Sequence, residues 1–82
     1  MSGDRFLDEA PQAEAVTDYD RAHATDYLRL LDAETAGATM AEICQIVFGL
    51  DAAREPERAH AMYTSHLARA HWLRDHGYRN LL

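Results

Sequence analysis

Apolar and polar positions divide this chain into a patternless front and three helical segments. Residues 1–16 scatter Gly3, Pro11 and Gln12 among acids with no sustained apolar period, which predicts a disordered N-terminal tail. From Thr17 the pattern changes. Ala24, Tyr27, Leu28, Leu30 and Leu31 recur on one side of a helical wheel, predicting a first helix over 18–36 with Gly37 as its C-cap. Thr39-x-x-Glu42 then forms a capping box, each side chain satisfying a free backbone N–H of the new helix, directly ahead of Ile43, Ile46, Val47 and Phe48. Only Glu42 and Gln45 give this short second helix a polar strip, so it is expected to be buried on most sides, as the central packing element, and to close at Gly49.

Residues 49–56 read as a connection, and Pro56 opens a long third helix, where the missing proline N–H costs nothing. With Ala59 at zero and about 100° per residue, Met62, Tyr63, His66, Leu67, Ala70 and Leu73 fall within about 140° and define its core stripe; Gly77 is the expected C-cap. The sum is an all-α, three-helix, extended-turn helix-turn-helix-like domain over 17–82 behind a tail of 1–16. The connection is about twice the usual three or four residues.

Composition narrows the function classes. Eighty-two residues make one small domain with few side chains to spare for a deep catalytic pocket, which argues against an enzyme. Cys44, the only cysteine, has no partner for an intramolecular disulfide. The first residues hold Asp4, Asp8 and Glu9 and no apolar stretch of the signal-peptide kind, so a cytoplasmic location is expected. No run approaches the roughly 18 apolar residues of a membrane span. The formal charge is −6, and all eight basic residues are arginines. Residues 1–36 carry nine acids and three arginines, while residues 57–82 carry two acids and four arginines. An acidic domain begins at a disadvantage on DNA, where most affinity comes from neutralised phosphates.

Candidate chemistry is sparse. His60, His66, His71 and His76 are separated by six, five and five residues, so no two neighbours share a helix face as metal ligands must. His66 belongs to the core stripe, and the other histidines are expected on exposed or polar edges. Cys44 reads as a small buried hydrophobe, and Asp26, Asp32 and Glu34 as a solvated face. No catalytic group, cofactor or metal is expected. Trp72 falls at about 220° on the wheel, opposite the core stripe, among Ser65, Ala68, Arg69 and His76. Either a partner packs on this patch, since Trp and Arg are enriched at interface hot spots, or another part of the chain covers it. Tyr78, Leu81 and Leu82 likewise either dock back or insert into a partner. Arg54 and Arg58 sit where a helix-turn-helix protein touches phosphates or bases, with Glu55 and Glu57 interleaved.

Three strings carry a family resemblance: Tyr27-Leu28-Arg29-Leu30-Leu31-Asp32-Ala33-Glu34, Ser65-His66-Leu67-Ala68-Arg69-Ala70-His71-Trp72, and Gly77-Tyr78-Arg79-Asn80-Leu81-Leu82. Together they resemble a domain family of bacterial integrative and conjugative elements whose members are extended-turn variants of the helix-turn-helix. The resemblance covers roughly residues 18–82. It implies two forms, a longer transcriptional activator in which this domain follows a separate N-terminal domain, and a short stand-alone antiactivator under quorum-sensing control. The short acidic chain is similar to the second. The implied mechanism is mimicry: the free domain binds the activator's N-terminal domain and blocks excision and conjugative transfer of the mobile element. The expected partner is an activator carrying a related C-terminal domain, with no nucleic acid or membrane and a monomeric state; the candidate contact residues are Tyr27, Leu28, Ser65, Arg69, Trp72, His76, Tyr78 and Leu82. The alternative is a small DNA-binding helix-turn-helix regulator using Arg54, Arg58, His60 and Thr64.

Overall fold

A computed structural model describes residues 6–77, and all regular secondary structure among them is helical. The expectations for residues 1–5 and for Tyr78, Leu81 and Leu82 lie outside the described residues. The elements are α1 (Asp18–Ala22), α2 (Ala24–Thr35), α3 (Met40–Ile43) running into a π-helical turn (Cys44–Phe48), and α4 (Pro56–Trp72) running into a second π-helical turn (Leu73–Gly77). This is the all-α, helix-turn-helix-like architecture expected from the sequence, with one helix divided.

The division falls at His23. Its backbone leaves the helical region (φ −110°, ψ 20°), so the expected single helix over 18–36 becomes α1 and α2. The cause is a buried side chain. His23 packs between the rings of Phe6 and Tyr19, at centroid distances of 4.5 and 4.4 Å, while its Nδ1 lies 3.0 Å from the Asp26 carboxylate. His23 is therefore a core residue, where an exposed or polar-edge position was expected. Thr17 caps α1 through a capping box with Asp20.

Other helix ends follow local chemistry. After α2, Gly37 adopts φ +83°, and the Ala38 N–H reaches back to the Ala33 carbonyl (3.1 Å), closing the last turn as a left-handed cap does. Thr39 and Glu42 form the expected capping box of α3. Gly49, at φ +64°, ends the π-helical turn, and Asp51 then accepts the Ala53 N–H (2.9 Å), shaping the bend that delivers Pro56 to the start of α4.

Two apolar clusters join around α4. Tyr27, Leu30, Ile43, Val47, Ala70 and Leu73 form the larger, and Cys44, Leu50, Ala59 and Met62 the smaller; Phe6, Phe48 and Tyr63 touch both. The central packing element is thus α4 against α2 rather than the second helix. The π-helical turn explains the difference. Its i→i+5 spacing widens the turn, so Ile46 points outward at 64 % exposure while its carbonyl accepts from Arg29 (3.2 Å). Cys44 is fully buried, as expected of a small hydrophobe, with burial raising its thiol pKa.

Residues 6–16, expected as part of a loose tail, instead form an irregular strap docked on α4. Phe6 inserts among the rings of His23, Phe48 and His66, at centroid distances of 4.5, 4.7 and 5.7 Å. The Ala10 N–H donates to Ser65 Oγ (3.0 Å), and Arg69 donates to the carbonyls of Ala13 and Ala15 (2.6 and 2.9 Å). One aromatic plug and backbone hydrogen bonds to α4 hold the segment, so it needs no hydrophobic period of its own.

Candidate functional site

The long helix α4 carries two functional candidates, a buried network beneath the strap and a group of exposed residues at its start. The first is built on a buried ion pair. Asp20 and Arg69 have side chains only 0 and 4 % exposed, and the guanidinium grips both carboxylate oxygens side-on through one edge, Nη2 to Oδ2 at 2.6 Å and Nε to Oδ1 at 3.1 Å. The Tyr27 hydroxyl also donates to Asp20 Oδ1 (3.1 Å), and the Thr17 N–H to Oδ2 (2.9 Å). Burial by itself raises the Asp20 pKa; the Arg69 guanidinium and the bonds from Thr17 outweigh it and hold the carboxyl below its ordinary value. Burial, and then the Asp20 charge, push the Tyr27 phenol well above its ordinary value, so it remains a donor.

A second chain of bonds passes through His66. Its Nδ1 donates to the Met62 carbonyl (2.7 Å), which leaves Nε2 to accept from the Tyr19 hydroxyl (2.7 Å), itself accepting from the Leu7 N–H (3.0 Å). Burial lowers the His66 pKa and favours this neutral form. No buried side-chain nitrogen or oxygen among the described residues lacks a partner. These groups lock the fold and leave no polar atom free for a substrate.

Each expected contact residue can now be placed. Tyr27 and Arg69 are buried in the core network, so their assignment to a partner surface is corrected: their polar atoms are committed to Asp20 and the strap. Ser65 is half-buried and bonded to Ala10. Trp72 is half-buried, its ring 4.3 Å from the Arg69 guanidinium carbon and stacked on His76 at 5.7 Å. With Pro11, Ala13, Ser65, Ala68 and Arg69 it lines an open cleft of about 270 Å3 between the strap and α4. Part of the same chain thus partly covers the side opposite the expected core stripe, leaving Ala68 and His76 exposed. His76 and Leu28 are exposed, the latter at 48 %.

The second candidate is the exposed start of α4 and the turn before it, where Arg58 lies at the edge of the strap and, at about 100° per residue, His60 and Thr64 fall on a different face. Arg54, Arg58, His60 and Thr64 are all exposed. Arg58 donates from Nε to Asp8 (2.9 Å) and from Nη1 to Glu55 (3.2 Å). The Thr64 hydroxyl donates back to the His60 carbonyl (2.8 Å), so it keeps acceptor capacity toward solvent. Among the described residues no three His, Cys, Asp or Glu side chains group as metal ligands, and no helix is long and apolar enough to cross a membrane.

This arrangement, a polar helix start presented after an extended turn on an all-α core, is that of a helix-turn-helix-like regulatory domain. Residues 3–82 match the RovC-type family described as "T6SS, Transcription factor, DNA binding domain", and the chain belongs to that family. No curated protein sequence matches the chain.

The strap was the element missed by sequence reasoning. The change of pattern at Thr17 marked where the helices begin, but nothing in the local pattern announced that Asp20 pairs with an arginine 49 residues away. Phe6, an isolated aromatic in an acidic stretch, was the one available hint.

Proposed function

We propose that the domain is a small DNA-binding transcriptional regulator that approaches DNA through exposed residues of the first half of α4 and the turn before it. Membership of a family of transcription-factor DNA-binding domains, over residues 3–82, carries the reading. The exposed positions agree with it. In a helix-turn-helix the N-terminal residues of the second helix meet base edges, and Arg54, Arg58, His60 and Thr64 occupy that region of α4 and its turn. Arg54 and Arg58 bind phosphate or guanine edges; His60 and Thr64 supply shorter-range hydrogen bonds. The acidic balance makes the affinity modest, and its salt dependence follows the number of phosphates the arginines contact. Selection of duplexes from a random pool tests this reading. Enrichment of one sequence, lost in a His60→Ala/Thr64→Ala variant, supports it; an unenriched pool and no retained DNA at low salt overturn it.

The formal charge of −6, with Arg58 held by Asp8 and Glu55, favours a second reading. In this reading the domain is a QseM-type antiactivator that binds the N-terminal domain of a related activator and so blocks excision and conjugative transfer. Its accessible candidate contacts are Leu28, His76 and the exposed edge of Trp72. Calorimetric titration against that N-terminal domain separates the readings: saturable binding without DNA affinity favours the antiactivator.

A further inference from the structure

We propose that the strap is a built-in counter-ion for α4, with Asp8 standing on Arg58 where a DNA phosphate would bind. The inference rests on the DNA-binding reading and adds an internal restraint on it.

The two carboxylates on Arg58 differ in kind. Glu55 lies three residues away, a pairing that local helix geometry supplies by itself. Asp8 is 50 residues away in sequence, and its carboxylate is 2.9 Å from Nε. Its position is imposed by anchors on both sides. Two residues before it, Phe6 is packed among His23, Phe48 and His66; two residues after it, Ala10 is bonded to Ser65 on α4 itself. Arg69 holds the next stretch through the Ala13 and Ala15 carbonyls. Asp8 is therefore delivered to Arg58 by a fixed backbone, not by a chain that samples many positions.

The pair is also accessible. Arg58 is 46 % and Asp8 66 % exposed in their side chains, so a polyanion can reach the guanidinium and displace a carboxylate worth little in high dielectric. DNA binding through Arg58 thus includes exchange of Asp8 for a phosphate. Removing the Asp8 charge frees one phosphate contact from that competition while leaving every strap anchor in place.

The test compares wild type with Asp8→Asn, Glu9→Gln, Arg58→Ala and the Asp8→Asn/Arg58→Ala double variant, by fluorescence anisotropy on a short labelled duplex across a salt series. Glu9 is exposed and next to Asp8, so Glu9→Gln makes the same change in net charge. We expect Asp8→Asn to tighten binding about two- to fivefold at low salt, as loss of an exposed competing ion pair allows. Its log–log salt slope should match that of the wild type, because Arg58 ends on one phosphate in both complexes. Glu9→Gln should leave the affinity unchanged, and Arg58→Ala should abolish the Asp8→Asn gain. Wild type and Asp8→Asn binding DNA with the same affinity, or Glu9→Gln matching Asp8→Asn, would overturn the counter-ion while leaving the DNA-binding reading in place. Absence of DNA binding by every variant would overturn both.

Discussion

Replacing Arg69 by methionine tests the core of the fold most severely. The substitution keeps an unbranched apolar stem but removes the guanidinium that grips Asp20 by two hydrogen bonds and the strap by two more. Asp20 would then be a carboxylate with no exposure, no counter-ion and only Tyr27 and Thr17 as donors. Breaking one side of a buried pair costs about 3–5 kcal/mol. A domain of this length has a total stability of roughly 4–12 kcal/mol, so the variant should sit close to unfolding at room temperature. The carbonyls of Ala13 and Ala15 return to water when the strap lifts, so they add little to that figure. Urea denaturation followed by far-ultraviolet circular dichroism measures the loss, and amide exchange at Ala10 should rise before global unfolding. An Asp20→Leu/Arg69→Met double variant should recover part of the loss, because no unpaired charge remains. A loss below about 1 kcal/mol in Arg69→Met, or additive single and double effects, would refute the buried clamp.

Two further outcomes follow from the same geometry. As pH falls through about 6.5 the unfolded state takes up the His66 proton first, because burial lowers the folded pKa; stability should decline there, and decline again below about 4 as protonation of Asp20 removes its pairing. Thermal melts across this range check the sign, and stability that rises between pH 7 and pH 5 would contradict it. Trp72→Ala should destabilise the domain by about 2 kcal/mol, less than the roughly 3–5 kcal/mol of full burial, because the ring is half-buried on Arg69 and His76; unchanged stability together with lost partner binding would return the ring to an interface.

The sequence revealed the fold wherever a local signal existed. Thr39 with Glu42, Pro56, and the glycines at 37 and 49 set helix ends through interactions with adjacent backbone, and each acts where its pattern predicts. The core stripe of α4 was similarly legible, from Met62 through His66 and Ala70 to Leu73. Non-local pairings were not. His23 breaks a helix because Phe6 and Tyr19 enclose it, and Asp20 meets Arg69 across the core; neither event leaves a periodic trace. The π-helical turn carrying Ile46 outward violates the period on which the wheel depends. Arg54, Arg58, His60 and Thr64 were legible as candidates because position after the turn was enough to select them, but Asp8 as the partner of Arg58 was not.

The most direct test of the DNA-facing assignment is the salt dependence of duplex binding for wild type and for Arg54→Ala/Arg58→Ala, measured by fluorescence anisotropy. The account predicts saturable binding by the wild type and a log–log slope shallower by about two units in the variant, close to one for each phosphate contact removed. Equal slopes for the two proteins, or no wild-type binding at low salt, would contradict it.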